Sequence, residues 1–426
     1  MSRILDTVFP RRLGAGFRWL VASSWVSNLG DGLALAAGPL VVASLTTDAR
    51  LVALGATMQW LPPLLFGLLA GAVSDRLDRR RVIITVNLVR VGVLAVLATA
   101  LATGQVSILA VLGALFLLGT SEVFVDNTTS TILPMIAHRD DLTVGNARLQ
   151  AGYVTINQLA GPPVGAALFT LGAMVPFASQ AILVLGATVL VSRLRLPPHG
   201  KATRAPSRIH HDIVEGFRWA VRHGAVRTLI LTVFIFNLTF GAAWSVLVLY
   251  ATRHLGLGEI GFGLITTVQA VGGVVGIAAY GWLTRRVSLS NLMRAGLILE
   301  TFTHLGLAAT DSPAVAMPIF FVFGVHVFVW GTTSITIRQR VVPTELQGRV
   351  NSVNLVGVFG GLVIGSAVGG ILAERVGVTA PFWYAFVGSA IFVVLIWRQL
   401  RHLSVGDAPT LEEVGSDDDE APDPAS

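Results

Sequence analysis

Asp31, Glu122 and Asp126 stand inside long apolar runs, where an ionised side chain at a helix centre costs roughly 2.5–3.5 kcal/mol on insertion scales. Asp31 follows Asn28 by three residues, and Glu122 and Asp126 are one helical turn apart on one face. A carboxylate in such a place can carry a proton or hold a cation. It can also do no more than satisfy a neighbouring helix or keep a cavity open, and both readings stay open. His326 could serve in the same way from the second half of the chain, although a lone histidine is more often a hydrogen-bonded structural group. Asn237, Trp244, Trp330 and Thr333 are candidate cavity walls. Arg90, Glu300 and His304 read as structural: Arg90 snorkelling to the inner surface, Glu300 and His304 pairing one turn apart.

These residues need helices to hold them in a membrane. The chain has 426 residues, 53% hydrophobic and 13% charged, with a mean hydropathy of +0.72. No soluble domain hides that much apolar surface. Twelve apolar runs can each cross a hydrocarbon core of roughly 30 Å: 17–45, 50–74, 82–103, 107–136, 142–170, 174–193, 226–252, 260–284, 288–310, 313–340, 345–374 and 378–398. They are numbered below as spans 1 to 12. The first is expected to be a span rather than a signal peptide, since no clear cleavage site follows it. The expected fold is an all-α polytopic membrane protein, with twelve transmembrane helices in two six-helix pseudo-symmetric bundles. The expected units are residues 1–193, a central cytoplasmic loop 194–225, residues 226–400, and a disordered acidic tail 401–426.

Basic residues orient the chain. With both termini in the cytoplasm, only Arg50, Arg253 and Arg375 fall outside and Arg90 falls within span 3. The isoelectric point near 10.6 then reflects short inner loops, and no nucleic-acid partner is expected. The chain has no cysteine, which excludes disulfides and thiol chemistry. His210-His211 lacks the further ligands of a metal site, and no nucleophile–base pair suggests an enzyme. The sequons at Asn127 and Asn237 lie within spans and are rejected.

The halves repeat. Shifting the chain by 204 places Gly161, Val164, Gly165 and Leu168 on Gly365, Val368, Gly369 and Leu372. Such a parallel repeat turns about an axis along the membrane normal. Gly361, Gly365 and Gly369 form a small-residue row that marks helix packing. The shared Gly-Phe-Arg-Trp at 16–19 and 216–219 is taken as chance, each copy opening an amphipathic segment on the inner leaflet.

Between spans 2 and 3 runs Gly71-Ala-Val-Ser-Asp75-Arg76-Leu-Asp78-Arg79-Arg80-Arg81. It resembles the signature loop of the major facilitator superfamily, with Asp78 where that family has glycine, which leaves the turn there open. The resemblance implies a cytoplasmic gate of Gly71, Asp75, Arg76, Arg79 and Arg80, with Asp75 near the start of span 11. Thr344-Glu345-Leu346-Gln347 there reads as a capping box. Gly161-Pro162-Pro163-Val164-Gly165 in span 5 resembles the exporter motif of the superfamily, with Asn157 in place of a further glycine. Family resemblance also places spans 1, 4, 7 and 10 around one central cavity, so that Asp31 and Glu122 would face the same space.

The whole chain resembles the bacterial drug-efflux branch that holds macrolide-efflux and enterobactin-exporter-type proteins. That implies a proton-coupled exporter of a hydrophobic or amphipathic small molecule in the bacterial cytoplasmic membrane. It would run on the proton gradient without a cofactor, with the substrate, protons and the bilayer as its partners, as a monomer. A lipid or lysophospholipid flippase on the same fold is one alternative. A non-transporting receptor or scaffold is another, though that would not need several cavity carboxylates.

Overall fold

The computed structural model describes residues 13–138, 141–196 and 209–400. The tail 401–426, residues 1–12 and much of the central loop lie outside the described residues. Of residues 75, 209–213 and 345 only the backbone is described.

All twelve spans are present as helices, and no strand occurs among the described residues. They are Gly14–Leu45, Ala49–Arg76, Arg79–Ala102, Ile108–Ser130 with the short Leu133–Ile136, a composite span 5 over 142–171, and Val175–Ser192. The second half has Gly224–Trp244 continued by Leu247–Leu249 and Tyr250–His254, then Glu259–Thr284, Leu289–Ala309, Pro313–Val341, Gln347–Arg375 and Ala380–Ile396. Nine of the described helices are individually long and apolar enough to cross a membrane. The others have physical reasons to look weak: span 5 is broken, span 9 carries Arg294, Glu300 and His304, and span 12 has 17 residues.

Local chemistry starts and stops these helices. Side chains of Asp48, Ser107 and Ser288 accept from the backbone N–H of Arg50, Ala110 and Asn291 and so cap spans 2, 4 and 9. Asp78 does the same for span 3, accepting from Arg81 N at 2.9 Å. Its φ is −62°, so the turn needs no left-handed residue and the missing glycine is no defect. At the opposite end of the bundle, Arg50 bonds the Asp48 carboxylate and holds its pKa down to about 2, leaving that loop ionised at any physiological pH.

The pairing of spans shows the repeat. Spans 1–5, 1–6, 2–4, 3–4 and 3–6 pack together in the first half, and 7–11, 7–12, 8–10, 9–10 and 9–12 in the second. Each pair in one half has its counterpart in the other. The halves meet through spans 2 with 11 and 5 with 8.

The meeting is one-sided. At the end bearing the span 1–2 loop, Glu374 accepts from Ala49 N at 2.8 Å, Thr57 and Ser366 share a hydrogen bond, and a Cβ on Gly370 would lie 2.7 Å from that of Ala53. Towards the signature loop, Gly67 and Gly71 of span 2 and Gly348 and Gly360 of span 11 have nothing within 4 Å of such a Cβ. The same two helices therefore touch at one end and stand open at the other.

Candidate functional site

In the first half, Asp31 of span 1 is 9% exposed and Arg90 of span 3 is 2% exposed. Arg90 Nη2 donates to Asp31 Oδ1. Ser27 Oγ donates to Asp31 Oδ2 at 3.3 Å, and Gln180 Nε2 of span 6 donates to Oδ1 at 3.5 Å. Arg90 does not snorkel: it is the twelfth residue of a 24-residue helix, about 17 Å along it at 1.5 Å per residue. It is instead the counter-ion of Asp31.

A polar pocket of about 30 Å³ joins Asp31 to Asp126, with Ser27, Asn28 and Asn87 on its wall. That is room for a water molecule with several polar partners. Buried polar atoms nearby have no protein partner among the described residues: Arg90 Nε and Nη1, Asn87 Oδ1 and Gln180 Oε1. A bridging water would satisfy them. Asn28 donates to Ser24 O at 2.8 Å and accepts, through its carbonyl, from Asn157 Nδ2 at 3.3 Å. Glu122 is half-buried and does not line this pocket, though it lies within electrostatic reach of Arg90 and Asp31. The carboxylate that shares a space with Asp31 is Asp126 rather than Glu122.

In the second half a cavity of about 490 Å³ opens between spans 7, 9, 10 and 11. Phe236, Phe240, Phe323 and Trp330 give it an aromatic wall, and Asn237, Glu300, His326, Ser334 and Asn354 give it polar points. At its base Glu300 Oε2 and His326 Nε2 are 3.2 Å apart, with His304 Nε2 3.8 Å from Oε1. So Glu300 is not merely paired along its own helix: it crosses to span 10 and faces the cavity. Trp330 Nε1 and Asn354 Oδ1 are buried and have no partner among the described residues. Trp244 and Thr333 are not cavity walls. Trp244 packs among Phe240, Phe320, Phe323 and Phe382, and Thr333 Oγ1 donates back to Val329 O. Asp31 and Glu122 do not line a pocket together, and the pockets that hold Asp31 and Glu300 each draw on one half. No group of three or more His, Asp or Glu side chains among the described residues is placed to hold a metal ion.

Glycines set the first site. A Cβ on Gly32 would lie 2.6 Å from Asn157 O, and one on Gly165 2.3 Å from Leu33 O, so spans 1 and 5 touch backbone to backbone beside Asp31. Gly161 meets Gly32 in the same way. The second half repeats this, with Gly361, Gly365 and Gly369 of span 11 against Phe234, Leu238 and Ala242 of span 7. Asn157, where the motif has glycine, is 3% exposed and bonds span 1.

Pro162 and Pro163 act through what they lack. They donate no backbone N–H to the preceding turn, and residues 153–160 widen into a π-helix. Leu159 O, the carbonyl four residues before Pro163, accepts instead from Thr267 Oγ1 of span 8 at 2.8 Å.

Two of the signature arginines make contacts within their own half. Arg80 Nη2 donates to Ser192 O at the end of span 6, and Arg79 Nη1 lies 2.8 Å from Met135 Sδ. Arg76 and Thr344 are exposed. The Asp75 side chain lies outside the described residues. The expected capping box does not form. Span 11 is preceded by a 3-10 turn at Thr344–Leu346 without a side-chain cap, and Gln347 Nε2 turns back to Gln339 O at 3.3 Å and Val342 O at 3.5 Å.

Two six-helix bundles with this pairing define a transporter of the major facilitator fold. The chain belongs to the transmembrane secretion effector family of that superfamily, whose family model matches residues 9–417, a family of transporters rather than enzymes. It is similar to the multidrug efflux pump Tap of Mycolicibacterium fortuitum, 28% identical over 92% of this chain and 97% of that protein. It is also similar to macrolide efflux protein A of Streptococcus pyogenes, 22% identical over 82% and 87%. Among solved structures, the nucleoside transporter NupG superposes with a TM-score of 0.71 at 15% identity, covering 91% of this chain and 99% of that one. A bacterial homologue of the iron transporter ferroportin superposes at 0.72 in its inward-facing state, at 15% identity over 90% and 98%. A bacterial ferroportin homologue in the outward-facing state gives 0.57 at 18% identity over 91% and 99%.

Proposed function

We propose that this protein is a proton-coupled exporter of amphipathic small molecules, with proton handling in its first half and substrate binding in its second. The efflux-named relatives support export. The observation that carries the division is the separation of the two sites. A charge-paired Asp31 with the exposed Asp126 across a water-sized pocket suits a proton. An aromatic cavity of about 490 Å³ with one carboxylate suits an organic molecule. Asn237, Glu300, His326 and Ser334 set among the aromatic walls favour an amphipathic substrate with hydrogen-bonding groups.

The orientation places the signature loop and both termini in the cytoplasm, so the open end faces inward. A reporter fused after Ser404 and one within 199–210 are both expected to read cytoplasmic, and a periplasmic signal from either overturns the orientation. Asp75→Asn is expected to insert normally yet transport poorly, with the inward-facing population raised. Wild-type transport by the well-expressed variant removes the gate role.

The substrate test is a susceptibility panel in an efflux-deficient host, followed by binding of the macrolide or other drug to which the gene gives resistance. Glu300→Gln and Trp330→Ala are each expected to weaken that binding about tenfold, as loss of one good buried polar or aromatic contact of about 1.4 kcal/mol requires. Unchanged affinity in both places the substrate elsewhere. A second reading, export of a lipid, is favoured by one feature. A groove of about 270 Å³ lies between spans 5 and 8, with Gln150, Tyr153, Gln158 and Gln269 on its wall. Retention of the transported molecule in protein-free bilayers would decide for it.

A further inference from the structure

The central loop contains a helix, Ile209–Arg222, that the export cycle does not use. It is separated from span 7 by the single residue His223, whose extended backbone (φ −99°, ψ 109°) makes an elbow. The helix cannot leave the end of span 7, so it lies at the membrane surface. One side faces protein. Gly216 fits against the Arg349 backbone of span 11, where a Cβ would be 2.6 Å from the carbonyl oxygen, and Ala220 packs with Val226, Val342 and Val350. Glu215 pairs with Arg349 at 2.7 Å.

The other side faces away from protein. Val214, Phe217 and Val221 are exposed, Phe217 at 57%. At 100° per residue they fall in one arc of about 60°, centred about 110° round the helix from Gly216 and Ala220. Arg218 and Arg222 fall on the flank of that arc, exposed and without an ion-pair partner among the described residues. An apolar stripe edged by arginines on a helix fixed at a membrane surface matches an acyl boundary below and anionic headgroups above.

We propose that residues 214–222 form a docking site for anionic phospholipid of the inner leaflet, and that this lipid holds the inner end of span 11 through Gly216 and Arg349. The proposal rests on the cytoplasmic orientation stated above. Because span 11 is one of the two helices joining the halves, the lipid bound here would bias how easily the open end closes.

The absence of cysteine makes single-cysteine probes clean. Phe217→Cys and Arg222→Cys, each labelled with an environment-sensitive fluorophore, are compared in detergent, in phosphatidylcholine nanodiscs, and in nanodiscs containing phosphatidylglycerol. The probe at 217 is expected to be quenched by brominated acyl chains and shielded from iodide in the discs. Energy transfer from a 217 probe to headgroup-labelled phosphatidylglycerol is expected to exceed that to labelled phosphatidylcholine. Arg218→Gln with Arg222→Gln should reduce that preference by up to about 30-fold, two charges at about 1 kcal/mol each. A 217 probe open to iodide in both kinds of disc overturns the proposal. So does one shielded from iodide yet unquenched by brominated acyl chains in both kinds of disc, which would mean a second copy or other protein covers the face. Labelling of Arg222→Cys from outside intact cells by an impermeant maleimide would instead break the orientation, a failure separable from the lipid readouts.

Discussion

Arg90→Ala is expected to destabilise the folded protein by about 3–5 kcal/mol, because it leaves the Asp31 carboxylate buried without its counter-ion. Asp31→Asn should cost less, since an amide can still accept from Ser27 and the arginine retains electrostatic support from Glu122 and Asp126. The double variant Asp31→Asn with Arg90→Gln should recover most of the stability lost by Arg90→Ala. A hydrogen-bonded neutral pair in the same volume carries no desolvated charge. Function should not recover with it. If Asp31 carries the proton, both Asp31→Asn and the double variant lose uphill efflux but keep downhill counterflow, with substrate binding intact in its own cavity. The measurements are thermal unfolding in detergent, proton release on substrate addition, and counterflow in proteoliposomes. Uphill pumping by the stable double variant would move the coupling site to Glu122, Asp126 or the Glu300–His326 pair.

Gly32→Leu should be comparably disruptive, although it touches no charge. The new side chain begins 2.6 Å from the carbonyl of Asn157 and 2.9 Å from the Gly161 Cα. Neither backbone atom can swing aside as a side-chain tip can. Overpacking usually costs about 1–3 kcal/mol, and a backbone-to-backbone site lies at or above the top of that range. Spans 1 and 5 should separate, carrying Asp31 away from Arg90. Gly67→Leu is the control, since nothing lies within 4 Å of its Cβ position. Expression and thermal stability should be wild-type for the control and lost for Gly32→Leu. Equal behaviour would mean the close packing of spans 1 and 5 is dispensable.

Much of this was legible from residue types. Hydropathy placed the spans, because a helix in lipid is predominantly apolar over about 20 residues. The repeat of Gly161 and Gly165 on Gly365 and Gly369 did mark equivalent packing, span 5 on span 1 and span 11 on span 7. Asn237, His326 and Trp330 do line one cavity, and Asn28, Asp31 and Asp126 another. What could not be read was rotation. In a helix apolar on every side, nothing in the sequence says which face Arg90 or Glu300 turns inward. Both were therefore assigned to structure, whereas one pairs with Asp31 and the other faces the larger cavity. A mid-span arginine in a chain with a mid-span aspartate was the signal that could have found the pair. The capping box at Thr344 failed for a local reason: Gln347 has two free carbonyls within reach behind it.

The prolines of span 5 bear on how the halves can move. The bond from Thr267 to Leu159 O joins them, and it exists because Pro163 leaves that carbonyl without its usual donor. By its place in the repeat it lies level with the Thr57–Ser366 bond, since Thr267 is eight residues past the start of span 8 and Thr57 eight past the start of span 2. In a body that rocks, displacement grows with the lever arm, so points near the fulcrum scarcely shift while the rims swing widely. A lone hydroxyl can follow a small rotation about its own Cβ–Oγ axis without letting go. Two residues that read as a flaw in a helix thus leave the two bundles a second tie, between spans 5 and 8, beside the one between spans 2 and 11.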